Sequence, residues 1–154
     1  YSTETILKYI HGEYIEGKSV ELLKNIHLMP KPLKREFLRS FFNDEGCIDY
    51  KPEENQRRIR GYQKRIEILE IVERLLLDFG IKSHIQSPNE IVIVGKENFL
   101  RFRQEINFSS EVRVNGNRSN SIWKESLEKK EILRRAIESY KPVGSNGVHR
   151  SYTG

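Results

Sequence analysis

The sequence is short of cysteine and of long apolar runs. Cys47 is the one cysteine among 154 residues, so an internal disulfide and a cysteine-based zinc site are excluded. A single cysteine also suits a reducing intracellular compartment, which could be the cytoplasm, the nucleoid or an organelle. No run approaches the roughly 18 apolar residues that span a bilayer, and the N-terminus lacks the apolar core of a signal peptide. The sequence therefore predicts a globular intracellular protein without a membrane partner.

Acidic residues are outnumbered by basic ones. Lysine and arginine total 27 against 22 aspartates and glutamates, which gives a net charge of +5 and a pI near 9.3. This excess favours a polyanionic partner such as nucleic acid, although many basic proteins bind none. Hydrophobic residues make up 36% of the chain and recur periodically, so length and composition predict one globular domain with its own core.

A strong helix is predicted from Leu33 to Glu45, ending at Gly46. Its apolar side chains cover nearly half the circumference, and Glu45 projects from the middle of that arc. Glu45 also lies in the last turn, where the helix dipole opposes a carboxylate by a few tenths to ~1 kcal/mol. Either the acid is simply exposed at an ordinary helix end, or a cation holds its charge there.

The next elements follow from changes in the hydrophobic period. After Gly46, "CIDYK" and "QRRIRGYQ" alternate with period two around the turn "PEEN", which predicts a β-hairpin. A helix with apolar residues from Ile68 to Phe79 is closed by Gly80, "IKSHIQS" and "EIVIVG" form a second hairpin, and "KENFLRFRQEI" is helical again. This order predicts an α+β fold with one antiparallel sheet covered on one face.

The segments on either side of this core are predicted as extensions. Residues 1–32 carry short helical signals, and residues 33–121 form the core, with a polar loop from 109 to 120. Residues 122–154 form a last amphipathic helix, to about Tyr140, and an irregular tail.

The uncovered face of the sheet is predicted to be basic and polar. It would carry Lys51, Arg58, Arg60, Lys82, His84 and Gln86. A solvated face is the usual meaning of such alternation, and a DNA-binding surface is the other interpretation. Because the pattern repeats on both hairpins, the sequence favours DNA.

The element order and one short motif resemble a known family. The stretch "LRSFFNDEG", Leu38 to Gly46, resembles the signature nonapeptide of the LAGLIDADG homing endonucleases, and the predicted order is similar to their α-β-β-α-β-β-α core. The stretches "GYQK", "LLLDFGIKS", "IVGKENFLRF" and "INFSS" are also typical of that family. The motif departs from the family pattern at Asn43 and Asp44.

The resemblance implies a metal-dependent active site. The family's catalytic acid precedes the closing glycine, so Glu45 would bind Mg²⁺ or Mn²⁺, with Gly46 beside it in the metal site. The metal would activate water and stabilise the leaving oxygen in phosphodiester hydrolysis. Gln63 would order active-site water, and Arg113 would balance phosphate charge.

One motif is visible, so the resemblance implies that two copies meet. A stripe of Phe37, Ser40, Phe41 and Asp44 would pack two motif helices about a two-fold axis and join two sheets into one DNA-binding saddle. The homodimer would recognise a long near-palindromic site through the major groove. The candidate DNA-binding residues are Lys51, Gln56, Arg57, Arg58, Arg60, Tyr62, Lys64, Lys82, His84 and Gln86.

The resemblance therefore predicts a site-specific, metal-dependent endonuclease of the homing type, encoded within an intron or intein, that cuts both strands of DNA. Three alternatives stay open: a non-cleaving DNA-binding regulator, an RNA maturase on the same fold, or one half of a two-motif intein endonuclease. The presence of Glu45 favours the enzyme.

Overall fold

The computed structural model describes residues 30–113 and 127–140. In chain order the elements are helix α1 (Lys31–Glu45), strands β1 (Gly46–Lys51) and β2 (Gln56–Tyr62), helix α2 (Ile66–Asp78), strands β3 (His84–Gln86) and β4 (Glu90–Ile93), and helices α3 (Lys96–Glu105) and α4 (Lys129–Glu138). The α+β class and the predicted order of elements are confirmed. Residues 1–29 of the predicted extension 1–32, residues 114–126, which include most of the predicted loop 109–120 and the predicted start of the last helix, and the tail after 140 lie outside the described residues.

Local chemistry explains where these elements begin and end. Helix α1 has Pro32 in its first turn, a position that needs no backbone N–H. Asn55 adopts the left-handed conformation that closes the β1–β2 turn. Helix α2 ends before Gly80, whose φ of 74° favours glycine and whose N–H donates to the Leu77 carbonyl oxygen.

The four strands form one antiparallel sheet in the order β1-β2-β4-β3. Both predicted hairpins are present, and the pairing of β2 with β4 joins them into a single sheet. The apolar side chains of Ile48, Ile59 and Ile93 lie side by side in this register, so they share one face. This core face packs against the helices.

One hydrophobic core includes all four described helices. Its members include Phe42 of α1, Leu75 of α2, Phe102 of α3 and Leu133 of α4, each 0% exposed. Helix α4 begins at Lys129, later than the predicted start near Ile122, because Leu127 and Glu128 are not helical. Through Leu133, helix α4 is part of the same core as the other three helices.

None of the helices in the described parts of the chain has the length and apolar character of a membrane span.

Two paired glycines bring the end of α1 against the sheet. Gly46 and Gly61 face each other across β1 and β2. A Cβ on Gly46 would lie 2.4 Å from the Phe42 carbonyl oxygen, and one on Gly61 would lie 2.5 Å from the Phe41 ring. Any side chain at either position would separate α1 from the sheet, so these glycines fix where α1 ends and where Glu45 lies.

Candidate functional site

The carboxylate of Glu45 lies at one end of the sheet. Glu45 is the last residue of α1, is exposed, and directly precedes β1. The register places the end of β2 and the start of β4 at the same end, since Gly46 pairs with Gly61 and Tyr62 pairs with Glu90. The candidate site is therefore an exposed carboxylate at the end of the sheet where β2 ends and β4 begins.

The last turn of α1 is anchored by two distant parts of the chain. The Asn43 side chain donates to Ser109 Oγ (2.8 Å) and accepts from the Ser109 backbone N–H (3.0 Å). Lys129 Nζ donates to the Asn43 carbonyl oxygen (2.9 Å). That carbonyl belongs to the helix end, where a cation satisfies an acceptor and opposes the negative dipole end.

Lys129 is a residue that the sequence analysis missed. It is 7% exposed, which is rare for a lysine, and its ammonium also lies over the Phe108 ring at 5.9 Å. No local pattern signals this contact, because Lys129 and Asn43 are 86 residues apart. Asn43, a departure from the family motif, is likewise explained as an anchor.

Gln63 lies at the same end of the sheet as Glu45. Its backbone N–H donates to the Asn89 carbonyl oxygen (3.1 Å), and its side-chain oxygen accepts from the Arg65 backbone N–H (3.2 Å) at the start of α2. The side-chain oxygen of Gln63 therefore has a local partner at the start of α2, and its predicted role in ordering water stays a prediction.

Arg113 lies near the end of α1 because the segment before it is tied there. Ser109 contacts Asn43, and four residues of extended chain span at most about 14 Å. Arg113 is exposed and forms an isolated antiparallel bridge with Glu128. Glu45 and Gln63 thus lie at one end of the sheet, and Arg113 follows a segment that is tied to the last turn of α1.

The predicted dimer stripe does not lie on the surface. Phe37 and Phe41 are 0% exposed and Ser40 is 2% exposed, so all three are buried within this chain. The Phe41 ring lies against Gly61, on the core face of the sheet. The reason is that the apolar arc of α1 is covered by its own sheet and neighbouring helices. Of the four residues in that stripe, only Asp44 is exposed.

The second face of the sheet is called the open face here. It carries the side chains of Cys47, Asp49, Lys51, Gln56, Arg58, Arg60, Tyr62, His84, Gln86, Glu90 and Val92. A fully buried acid, Asp49, lies at its centre and contacts two arginines. Asp49 Oδ2 accepts from Arg58 Nε (3.1 Å) and Nη2 (2.7 Å), and Oδ1 accepts from Arg60 Nη2 (3.0 Å). The alternating pattern of β2 predicts both arginines on this face, but it does not predict that Asp49 binds them.

Arg60 has a second acidic partner across the sheet. Its Nη1 donates to Glu90 Oε2, and its Nε lies 2.6 Å from Asp49 Oδ2. Burial opposes the charge of Arg60, but hydrogen bonds to Asp49 and Glu90 outweigh that effect and raise the pKa of Arg60 above its usual value. Two acids thus balance the two arginines, and the open face is less basic than its arginines alone suggest.

Arg57 was predicted to bind DNA, and the structure places it on the other face. It pairs with Tyr50 in the register and lies with that residue on the core face. Its guanidinium is 4.5 Å from the Tyr140 ring, and it donates to Ser139 Oγ (2.6 Å) and to the Ser139 carbonyl oxygen (3.2 Å). Arg57 therefore binds the end of α4. It lies on the opposite face from Arg58 because successive side chains of a strand alternate between the two faces of the sheet.

The other predicted DNA-binding residues lie on the open face or at its ends. Tyr62 is 50% exposed, and Lys64, Lys82 and His84 are also exposed. Partly buried residues complete the set, namely Lys51, Gln56 and Gln86. Cys47 lies on the same face, and burial raises the pKa of its thiol.

A complete metal site is not formed by the described residues. Across residues 30–113 and 127–140, no three acidic, histidine or cysteine side chains come together in a group that could hold a metal ion. Glu45 can supply one carboxylate oxygen ligand. Mg²⁺ sites commonly use one or two carboxylates with phosphate oxygens and water, so a single exposed acid fits part of such a site.

Known proteins are similar to this chain in sequence and in structure. Residues 32–107 match the family described as LAGLIDADG-like domain. Over 132 residues, 84% of the chain, the sequence is 31% identical to a probable translation initiation factor IF-2 of Thermococcus kodakarensis, and the match spans 10% of that relative's length.

Two solved structures of the homing endonuclease I-DmoI are also similar. One belongs to a study of its mesophilic variants and shows 22% identity with a TM-score of 0.45, covering 61% of this chain and 48% of that one. The other is a variant in complex with its target DNA in the presence of magnesium, with 20% identity and a TM-score of 0.44, covering 57% and 49% of the two chains.

Proposed function

Because the chain belongs to the LAGLIDADG family through residues 32–107, we propose that it is a site-specific, metal-dependent DNA endonuclease of the homing type. Glu45 is the proposed catalytic acid. The observation that carries the proposal is the position of this exposed carboxylate, at an anchored helix end beside a sheet face with arginines, lysines and polar side chains.

The end of α1 suits a divalent cation. The Glu45 carboxylate and the Gly46 carbonyl oxygen would hold Mg²⁺ or Mn²⁺, hard ions that take oxygen ligands and keep several waters. The helix dipole presents negative charge at this end and so favours a cation beside Glu45. When bound, the metal would supply an activated water and stabilise the leaving oxygen of phosphodiester hydrolysis.

The chain's own residues would orient the reactants around that acid. Gln63 would hold water through the donor groups of its amide, since its side-chain oxygen already accepts from Arg65. Arg113 would balance phosphate charge from the segment that Asn43 ties to α1. Lys129 would position Glu45 indirectly, because its hydrogen bond to the Asn43 carbonyl oxygen fixes the backbone that carries Glu45.

Double-strand cleavage would use a second acid from a second motif. That motif would come either from another copy of this chain, as a homodimer, or from elsewhere in a longer polypeptide. The second source is supported by the match to a relative of which this sequence spans 10%. Because Phe37, Ser40 and Phe41 are buried, a helix-to-helix contact would have to use Asp44 and other exposed positions. Sedimentation of the chain with DNA distinguishes a dimer from a monomer.

Selection of cleaved sequences from a random duplex library tests the proposal. With Mg²⁺ present, the chain should enrich one cleavage site, and Glu45→Gln should lower the cleavage rate by about a hundredfold or more. Glu70→Gln is the matched control and should leave the cleavage rate unchanged, since Glu70 is an exposed glutamate of α2 that neither the proposed site nor the proposed dimer contact uses. Absence of cleavage by the unmodified chain, or equal cleavage by the Glu45→Gln variant, would contradict the nuclease function.

A further inference from the structure

We propose that Arg58, and not Arg60, recognises a guanine on the open face, and that Asp49 is the residue that positions it. The inference rests on the proposed DNA binding. Sequence alternation makes the two arginines equivalent, because both point to the same face of β2. Their hydrogen bonds make them different.

Arg58 keeps one edge of its guanidinium available. Its Nε and Nη2 both donate to Asp49 Oδ2, which occupies the side edge of the fork. Among the described residues, no acceptor contacts Nη1 of Arg58. The end edge, formed by Nη1 and the second hydrogen of Nη2, therefore presents two parallel donors. Two parallel donors match the O6 and N7 acceptors of guanine in the major groove.

Arg60 has no comparable edge. Its Nη2 donates to Asp49, its Nη1 donates to Glu90, and its Nε lies 2.6 Å from Asp49 Oδ2. Its side chain is 18% exposed, compared with 30% for Arg58. To contact a base, Arg60 would have to leave two acids, so Glu90 would lose this partner and Asp49 would keep Arg58 alone. Arg60 is a structural link between β1 and β4.

Asp49 sets the direction in which Arg58 points. It is 0% exposed and directly opposite Arg58 in the register, so its carboxylate is held by the sheet itself. A guanidinium fixed on one edge loses less side-chain freedom when its other edge binds a base. Asp49 is thus a positioning residue, which acts on DNA through Arg58.

The test is selection of bound duplexes from a random library, in a Glu45→Gln background so that bound DNA stays intact. Arg58→Met should remove the preference for one guanine in each recognised half-site, so that the affinity ratio of guanine to the other bases at that position falls by about tenfold or more. Arg58→Lys should do the same while keeping the charge, because an ammonium lacks the fork. Arg60→Lys should keep that guanine and lower the melting temperature.

Two further variants complete the design. Lys51→Met, a lysine on the same face, should weaken binding to all sequences alike and leave the consensus unchanged. Asp49→Asn should weaken the guanine preference, and should have no further effect on it when Arg58 is already methionine. This absence of additivity separates positioning from a general loss of structure.

The outcomes distinguish this inference from the proposed function. If the parent protein enriches no sequence, sequence-specific DNA binding is contradicted, and this inference is contradicted with it. If a consensus exists but Arg58→Met and Arg58→Lys leave it unchanged while folded by circular dichroism, the inference alone is wrong. Loss of the guanine in Arg60→Lys, with retention in Arg58→Lys, would reverse the assignment.

Discussion

Replacement of Lys129 by methionine should destabilise the protein through the end of α1. Methionine keeps the length of the side chain and removes the Nζ donor that the Asn43 carbonyl oxygen accepts from at 2.9 Å. Because Lys129 is 7% exposed, water replaces this donor poorly. An unsatisfied buried acceptor costs about 1–3 kcal/mol, and this partly buried carbonyl should cost an amount near the lower end of that range. The lost cation at the helix end costs up to about 2 kcal/mol more.

The net loss should be smaller than these two costs together, because the ammonium no longer has to be buried. We expect the free energy of unfolding to fall by about 2 kcal/mol, which lowers Tm by about 4–8 °C for a domain of this size. Lys130→Met is the matched control, because Lys130 bonds to Ser110 Oγ at the surface and should change stability by less than about 0.5 kcal/mol.

Urea unfolding and thermal melting of both variants measure this difference. Lys129→Met should also lower the rate of DNA cleavage more than it lowers DNA affinity, since the affected backbone carries Glu45 and not the open face. Equal stability of the two variants would refute the argument that Lys129 holds the end of α1. An equal loss of affinity and cleavage would refute the argument that it acts through Glu45.

Two further predictions concern the same end of the sheet. Gly46→Ala places a Cβ about 2.4 Å from the Phe42 carbonyl oxygen, so urea unfolding should show a loss on the order of 1–3 kcal/mol, and an unchanged stability would contradict the close approach. Burial raises the pKa of the Cys47 thiol, and the thiolate is the reactive form. Alkylation of Cys47 should therefore be slower at pH 8 in the folded protein than in urea and should increase at higher pH, whereas equal rates in both states would contradict this prediction.

The order of elements could be predicted because burial is periodic within each of them. Helix α1 and both hairpins follow from spacing within a few residues of sequence, and Gly46 and Gly80 mark helix ends through local backbone geometry. The exposed position of Glu45 could not be predicted in this way, because the helical period places Glu45 within the apolar arc of α1. Local pattern did not show that Lys129 caps α1, because that contact joins residues 86 apart.

Two errors have separate physical causes. Arg57 was predicted among the DNA-binding residues, but it is adjacent to Arg58 in the strand and therefore lies on the core face. Strand alternation in the sequence is sufficient to predict this position. The predicted dimer stripe was wrong because large aromatic side chains such as Phe41 are buried within this chain and are not available to a partner helix. Asp49 differs from both, since its pairing with Arg58 depends on the register of the hairpin, which composition does not specify.

The charges on the open face divide into two groups with different consequences. At the centre, Asp49 and Glu90 balance Arg58 and Arg60, so this group adds little net attraction to a polyanion. Exposed lysines such as Lys64 and Lys82 lie outside that group. Phosphate neutralisation, and with it the salt dependence of binding, would therefore come mainly from lysines, at about 0.9 log unit per decade of salt for each phosphate. Base preference would come from an arginine whose direction is fixed before DNA arrives. Because different residues supply the two properties, affinity and specificity should change independently.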